Sequence, residues 1–210
     1  MKPEFWHQKW ENNQIGFHND VPHPLLVHYF GELDLSFGSR VFVPLCGKTR
    51  DIHWLLSEGY KIVGAELSEK AIQELFFELD KKPTVTDESK LKKYSTQNIE
   101  IFVGDIFDLT GTMLGTVDAI YDRAALVALP LEMRNKYTAL LKEITDDASQ
   151  LLICFEYDQS LRNGPPFSIT QEELEQHYAG VYNIRLLEQK IMPGGLGLGN
   201  GVTETIWLLK

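Results

Sequence analysis

Short apolar runs alternate along the chain with segments whose apolar residues recur at helical spacing. Residues 40–45, 61–66, 99–103, 117–121 and 151–157 are rich in β-branched and aromatic side chains, as strands buried on both faces require. Between the first two, residues 51–58 place Ile52, Leu55 and Leu56 on one helical face, and Gly59 stops the helix. Ser68 is an N-cap residue for a helix reaching Leu79, with Glu69 in its first turn. Residues 130–144 have helical period, with Pro130 in the first turn, where its missing N–H does no harm. Residues 168–178 form another helix, in which Thr170 and Glu173 suit a capping box. Residues 80–98 are polar and lysine-rich without a clean period, and read as a loop or flap. Residues 183–190 and 204–209 alternate as two strands of a hairpin around a glycine-rich connection.

Parallel strands with helical crossovers imply a sheet covered on both faces. The expected fold is α/β and Rossmann-like: a mostly parallel seven-stranded sheet, helices on both faces and a C-terminal antiparallel hairpin, in one domain over residues 1–210. Residues 1–35, with Phe5, Trp6 and Trp10 and a second short helix over 23–33, make a helical cover that packs over the sheet's open end or along its side.

Composition narrows the function. A net charge of −10 argues against a non-specific nucleic-acid binder. No segment approaches the apolar length of a membrane span, and the N-terminus lacks the apolar core of a signal peptide. A soluble, monomeric, cytoplasmic protein is expected, with no nucleic-acid or membrane partner. Cys46 and Cys154 are far apart and support neither a disulfide framework nor a metal site, so a packing role is expected for both.

The candidate chemistry lies where the first strand ends. In an open parallel sheet, ligands bind beyond the carboxyl ends of the strands, near the point where strand order reverses. Here the first strand runs into Leu45-Cys46-Gly47-Lys48, and Glu66 ends the second strand 19 positions after Gly47. A carboxylate suits the vicinal hydroxyls of a ribose, because two acceptor oxygens meet two neighbouring donors. Dinucleotide sites need G-x-G-x-x-G. This turn has Gly47 alone, and the tract over 194–201 has the wrong spacing and opens no helix. A nicotinamide oxidoreductase is therefore disfavoured. H-E-x-x-H and G-x-S-x-G are absent as well.

The motifs are more specific when read in order. Val41-Phe42-Val43-Pro44-Leu45-Cys46-Gly47-Lys48, Gly64-Ala65-Glu66-Leu67-Ser68, Asp105-Ile106-Phe107-Asp108-Leu109, Tyr121-Asp122-Arg123-Ala124-Ala125-Leu126-Val127-Ala128-Leu129 and Gly164-Pro165-Pro166-Phe167 follow one another, with Trp10 and Gly16-Phe17-His18 upstream. The series resembles the thiopurine S-methyltransferase family, within the class I S-adenosylmethionine-dependent methyltransferases.

That resemblance implies S-adenosyl-L-methionine as methyl donor and a small thiol or thiopurine as acceptor. By the same similarity Trp10, Leu45, Glu66 and Arg123 contact the donor, Asp105 and Ile106 flank its adenine, and Phe17 lines the acceptor pocket, with His18 beside it. Arg123 meets either the methionine carboxylate or the acceptor, or else forms a structural pair with Asp122. Arg123 and Asp122 are the candidate catalytic residues, Asp122 or a water held by Arg123 being placed to take a thiol proton. Selenium or tellurium species and halides are alternative acceptors, and donor binding without catalysis is a further alternative. The tract over 194–201 offers no counterpart to the basic acceptor-side residue of the animal members.

Overall fold

The computed structural model describes residues 2–210. Its core is one sheet of nine strands in the order β3-β4-β5-β2-β1-β6-β7-β9-β8. The five inner strands β1 (Arg40–Pro44), β2 (Lys61–Glu66), β5 (Ile99–Val103), β6 (Ala119–Arg123) and β7 (Ser149–Glu156) run parallel. The C-terminal hairpin of β8 (Ile184–Ile191) and β9 (Thr203–Leu209) lies at one edge, with β9 antiparallel to β7.

The sheet has nine strands and not seven because residues 80–98 are no loop. They contain β3 (Thr84–Glu88) and β4 (Leu91–Ser95), an antiparallel hairpin that extends the other edge through β5. On β4 only Leu91 and Tyr94 are buried, and β3 lies at the solvent-facing edge. Backbone pairing to β5, more than apolar burial, holds this hairpin.

Each face of the sheet carries its own apolar cluster. On one side α2 (Pro24–Tyr29), α3 (Arg50–Ser57) and α4 (Glu69–Glu78) cover Val41, Val43, Ile62, Ile101, Ala119 and Tyr121. On the other, α5 (Gly111–Leu114), α6 (Leu131–Thr145) and α7 (Gln171–Tyr178) cover Phe42, Val63, Phe102, Ile120 and Leu152. Alternate residues of each inner strand thus enter opposite cores, the period-two pattern of a doubly covered sheet.

The caps expected at Ser68 and Thr170 are present, while Pro130, expected in the first turn, is itself the N-cap residue of α6. Ser68 accepts from the Ala71 N–H and Thr170 from the Glu173 N–H. The capping box at Thr170 is only half formed, because the Glu173 carboxylate turns instead to Arg134 and His177. A buried guanidinium is a stronger partner for a carboxylate than a backbone N–H.

Strand order reverses between β1 and β6. These two strands pair at only two positions, Val41 with Ala119 and Phe42 with Ile120. Beyond them the chains diverge, while β1 stays paired to β2 as far as Pro44 and β6 to β7 as far as Arg123. The sheet therefore opens at its carboxyl end between Pro44 and Arg123. The N-terminal helix α1 (Pro3–Glu11) lies against α4 on this side.

Candidate active site

The first turn leaves β1 at Leu45, whose φ of 46° is left-handed, and passes through Gly47 at 51°. Side chains disfavour that region, so a glycine belongs at the tightest point of the turn. The Cys46 N–H donates to the Ala65 carbonyl, and the buried Cys46 thiol packs under Gly64. Burial pushes this thiol well above its ordinary range, as it does for Cys154, so neither is a ready nucleophile.

Glu66 faces the turn from the end of β2. Its Oε2 accepts the Gly47 N–H at 2.8 Å and its Oε1 accepts the Ser68 N–H at 2.8 Å. The side chain is buried, which raises its pKa, and these backbone N–H groups offset only part of that rise. Each oxygen retains acceptor capacity after one bond. The carboxylate is therefore fixed in orientation and still able to receive two hydroxyls.

Next to it, Gly104 follows β5, and its N–H donates to the Glu66 carbonyl at 2.9 Å. This brings Asp105 and Ile106 to the same end of the sheet. Ile106 is buried; Asp105 is exposed, and its Oδ1 accepts the Phe107 N–H. A cavity of about 340 Å³ lies between the ends of β2 and β5, walled by Leu67, Ser68, Glu69 and Val103 and roofed by Trp10. Leu67 and Val103 offer apolar contact suited to a purine.

The N-terminal segment closes over this arrangement. Trp10 is buried at 4% exposure, and its ring sits so close to Gly47 that a Cβ there would lie 2.9 Å from Cζ2. Phe17 meets Trp10 and Trp6 edge to face, at centroid distances of 5.6 and 5.8 Å. Lys70 donates to the Trp10 carbonyl at 2.9 Å and Arg123 to the Phe17 carbonyl at 3.2 Å. Trp10, Phe17, Leu45, Glu66, Asp105, Ile106 and Arg123 thus gather at one end of the sheet.

Two of the expected residues behave differently. Arg123 pairs with Asp51, 3.8 Å away, and not with Asp122. Asp51 is almost fully buried at the start of α3, where it accepts the His23 N–H at 2.7 Å and the Tyr121 hydroxyl at 3.0 Å. Asp122 points into the opposite core. It is fully buried, with Oδ2 accepting the Tyr137 hydroxyl at 2.6 Å and Oδ1 the Leu126 N–H at 3.1 Å. Burial raises its pKa to about 6. Asp122 was expected to take a thiol proton; here its oxygens hold the loop after β6 against α6, on the face of the sheet opposite Arg123. His18 follows Phe17, and burial, with Lys48 nearby, lowers its pKa, so its imidazole is neutral at neutral pH.

The sequence reading missed Asp51, Lys70 and the Ser68 N–H. An acid heading a helix reads as a macrodipole residue, and only its burial between β6 and the N-terminal segment shows the wider role.

The sequence model of the family described as Thiopurine S-methyltransferase matches residues 1–193. The chain belongs to this family. A thiopurine S-methyltransferase of Teredinibacter turnerae is 50% identical over 210 residues, covering 100% of this chain and 98% of its own length. One of Xanthobacter autotrophicus is also 50% identical, covering 100% and 99%. Among solved structures, the 1,6-didemethyltoxoflavin-N1-methyltransferase of Burkholderia thailandensis, with bound 1,6-didemethyltoxoflavin and S-adenosylhomocysteine, has the same fold at a TM-score of 0.67 and 13% identity, covering 99% of this chain and 85% of its own. Members of the thiopurine S-methyltransferase family are methyltransferase enzymes whose methyl donor is S-adenosylmethionine. The site fits that donor: a fixed buried carboxylate, an adjoining cavity with apolar contact from Trp10, Leu67 and Val103 among charged side chains, and one glycine in the turn. Among the described residues no side-chain cluster could hold a metal ion, and no helix is long and apolar enough to cross a membrane.

Proposed function

We propose that this family member transfers a methyl group to the sulfur of thiopurines or similar aromatic and heterocyclic thiols by in-line displacement. The observation that carries the reading is the aromatic cluster of Trp6, Trp10 and Phe17, which meets the turn where Trp10 rests on Gly47 and meets Arg123 through the Phe17 carbonyl. Flat apolar rings suit a planar heterocycle, and the relatives above are named for thiopurines.

Bound S-adenosylmethionine supplies an electrophilic sulfonium methyl that needs no enzyme nucleophile. Glu66 accepts the ribose hydroxyls, and Ile106, with Asp105 beside it, flanks the adenine. Trp10 and Leu45 enclose the donor and exclude water, and Phe17 walls the acceptor side, with His18 next to it. Alignment of the two reactants supplies several kcal/mol of the rate enhancement, about 7–11 at most. Arg123 presents a permanent positive charge at the opening between β1 and β6, which favours the ionised thiol. A thiol that ionises near neutral pH then needs no dedicated base, consistent with the commitment of Asp122 elsewhere.

The test is an acceptor panel with labelled donor. Methylation of 6-mercaptopurine or thiophenol above selenite, tellurite and iodide supports the reading. Preferred methylation of a selenium, tellurium or halide acceptor replaces it with that alternative, and donor binding with no transfer to any acceptor overturns catalysis.

A further inference from the structure

Lys48 ends the turn that carries Gly47, yet it points away from the donor site. Its ammonium lies 2.9 Å from Oε2 of Glu74 and 2.9 Å from Oε1 of Glu78, both on α4, and its side chain is only 14% exposed. The other oxygen of Glu74, Oε1, lies 3.6 Å from Lys70, one helical turn earlier. Lys70 is the residue that holds the Trp10 carbonyl at 2.9 Å. The path then closes, because the Trp10 ring rests on Gly47, the neighbour of Lys48.

The two oxygens of Glu74 therefore serve different elements. One holds the donor-binding turn and the other steadies the cation that holds the cover. Burial works against the charge of Glu74, but Lys48 and Lys70 outweigh it and bring its carboxyl below the ordinary range. Glu78 shares Lys48 but faces Arg50 on its other side and makes no ion pair with Lys70.

Each of these pairs is partly exposed and weak as a source of stability. Their combined effect is on geometry: α4 begins at the Ser68 N–H that fixes Glu66, and Glu74 ties that helix to both the turn and the cover. We propose that Glu74 is a positioning residue that couples closure of the N-terminal cover to the donor-binding turn, so that donor affinity depends on a carboxylate outside the ligand's reach. The proposal rests on the assignment of Glu66 and Trp10 to the donor site.

The experiment uses the full chain and compares Glu74→Gln, Lys70→Met and the double variant with the unaltered protein. Calorimetry reads the dissociation constant of S-adenosylhomocysteine, mass spectrometry the rate of tryptic cleavage after Lys9, and a thermal melt the stability. Each single variant is expected to weaken binding about fivefold and to speed cleavage at Lys9, with the double variant no worse than either, because all three break one path. Glu175→Gln, exposed on α7, should change neither readout. Multiplying effects, or a lower melting temperature with unchanged affinity and cleavage, would overturn the coupling. If the unaltered protein does not bind S-adenosylhomocysteine, the donor-site assignment fails. Cleavage of the ligand-free variants then still decides the tie between Glu74 and the cover: faster cleavage sustains it and an unchanged rate overturns it.

Discussion

Gly47→Ala separates the two roles that the structure gives this glycine. The first is conformational: at φ 51° an L-residue pays roughly 1–2 kcal/mol. The second is steric: a Cβ would lie 2.9 Å from Cζ2 and 3.3 Å from Cη2 of Trp10. The indole is buried and meets Phe17 edge to face, so it must give way by some tenths of an ångström and loosen an aromatic contact worth about 0.5–1.5 kcal/mol. The strain belongs to the turn and is read as a fall in melting temperature of about 2–8 °C for a chain of this size. The displaced indole belongs to the cover and is read as donor affinity, expected to weaken about tenfold. Calorimetric titration with S-adenosylhomocysteine and a thermal melt on the same preparations measure both. Gly16→Ala is the control, since its φ is not positive and its Cβ meets nothing within 4 Å; it should leave both quantities unchanged. If Gly47→Ala melts lower but binds as tightly as the unaltered protein, Trp10 does not cover the donor, and the reasoning fails.

Three further predictions concern Asp122 and Thr170. Asp122→Asn should retain more than a tenth of kcat, and a thousandfold loss at unchanged melting temperature would restore Asp122 as proton acceptor. Because its carboxyl is raised from 3.8 to about 6, Asp122 stabilises the fold below pH 4 and loses that contribution as pH rises through 6. Melts from pH 4 to 7 should therefore show a decline on the order of 3 kcal/mol that the Asn variant lacks, and parallel curves would contradict the assignment. Thr170→Ala removes the acceptor for the Glu173 N–H at the start of α7 and should cost about 1 kcal/mol by denaturant titration, with kcat unchanged; an unaltered stability would show that cap to be idle.

The inner sheet and the turn that faces Glu66 were legible because their signals are local. β1, β2, β5 and β7 are continuous apolar runs, and the spacing from Gly47 to Glu66 follows from one strand, one turn and one helix. The β3–β4 hairpin was not legible, because β3 is exposed and its order comes from backbone pairing that leaves no apolar pattern. The direction of Asp122 follows from strand alternation. Side chains alternate along β6, so Tyr121 and Arg123 face one core while Ile120 and Asp122 face the other, and Asp122 and Arg123 are not neighbours in one site. The ties from Lys70 and Glu74 to Trp10 and Lys48 could not be read from the sequence, because nothing in it fixes how α1 lies against α4.

The central claim is that Glu66, held by the Gly47 and Ser68 N–H groups, receives the ribose of S-adenosylmethionine. Calorimetric titration of Glu66→Gln with S-adenosylmethionine tests it most directly. Hydrogen bonds to a charged acceptor are worth about 1.5–3 kcal/mol, so a folded variant should bind about ten- to a hundredfold more weakly. An unchanged dissociation constant in a variant that melts like the unaltered protein would contradict the account.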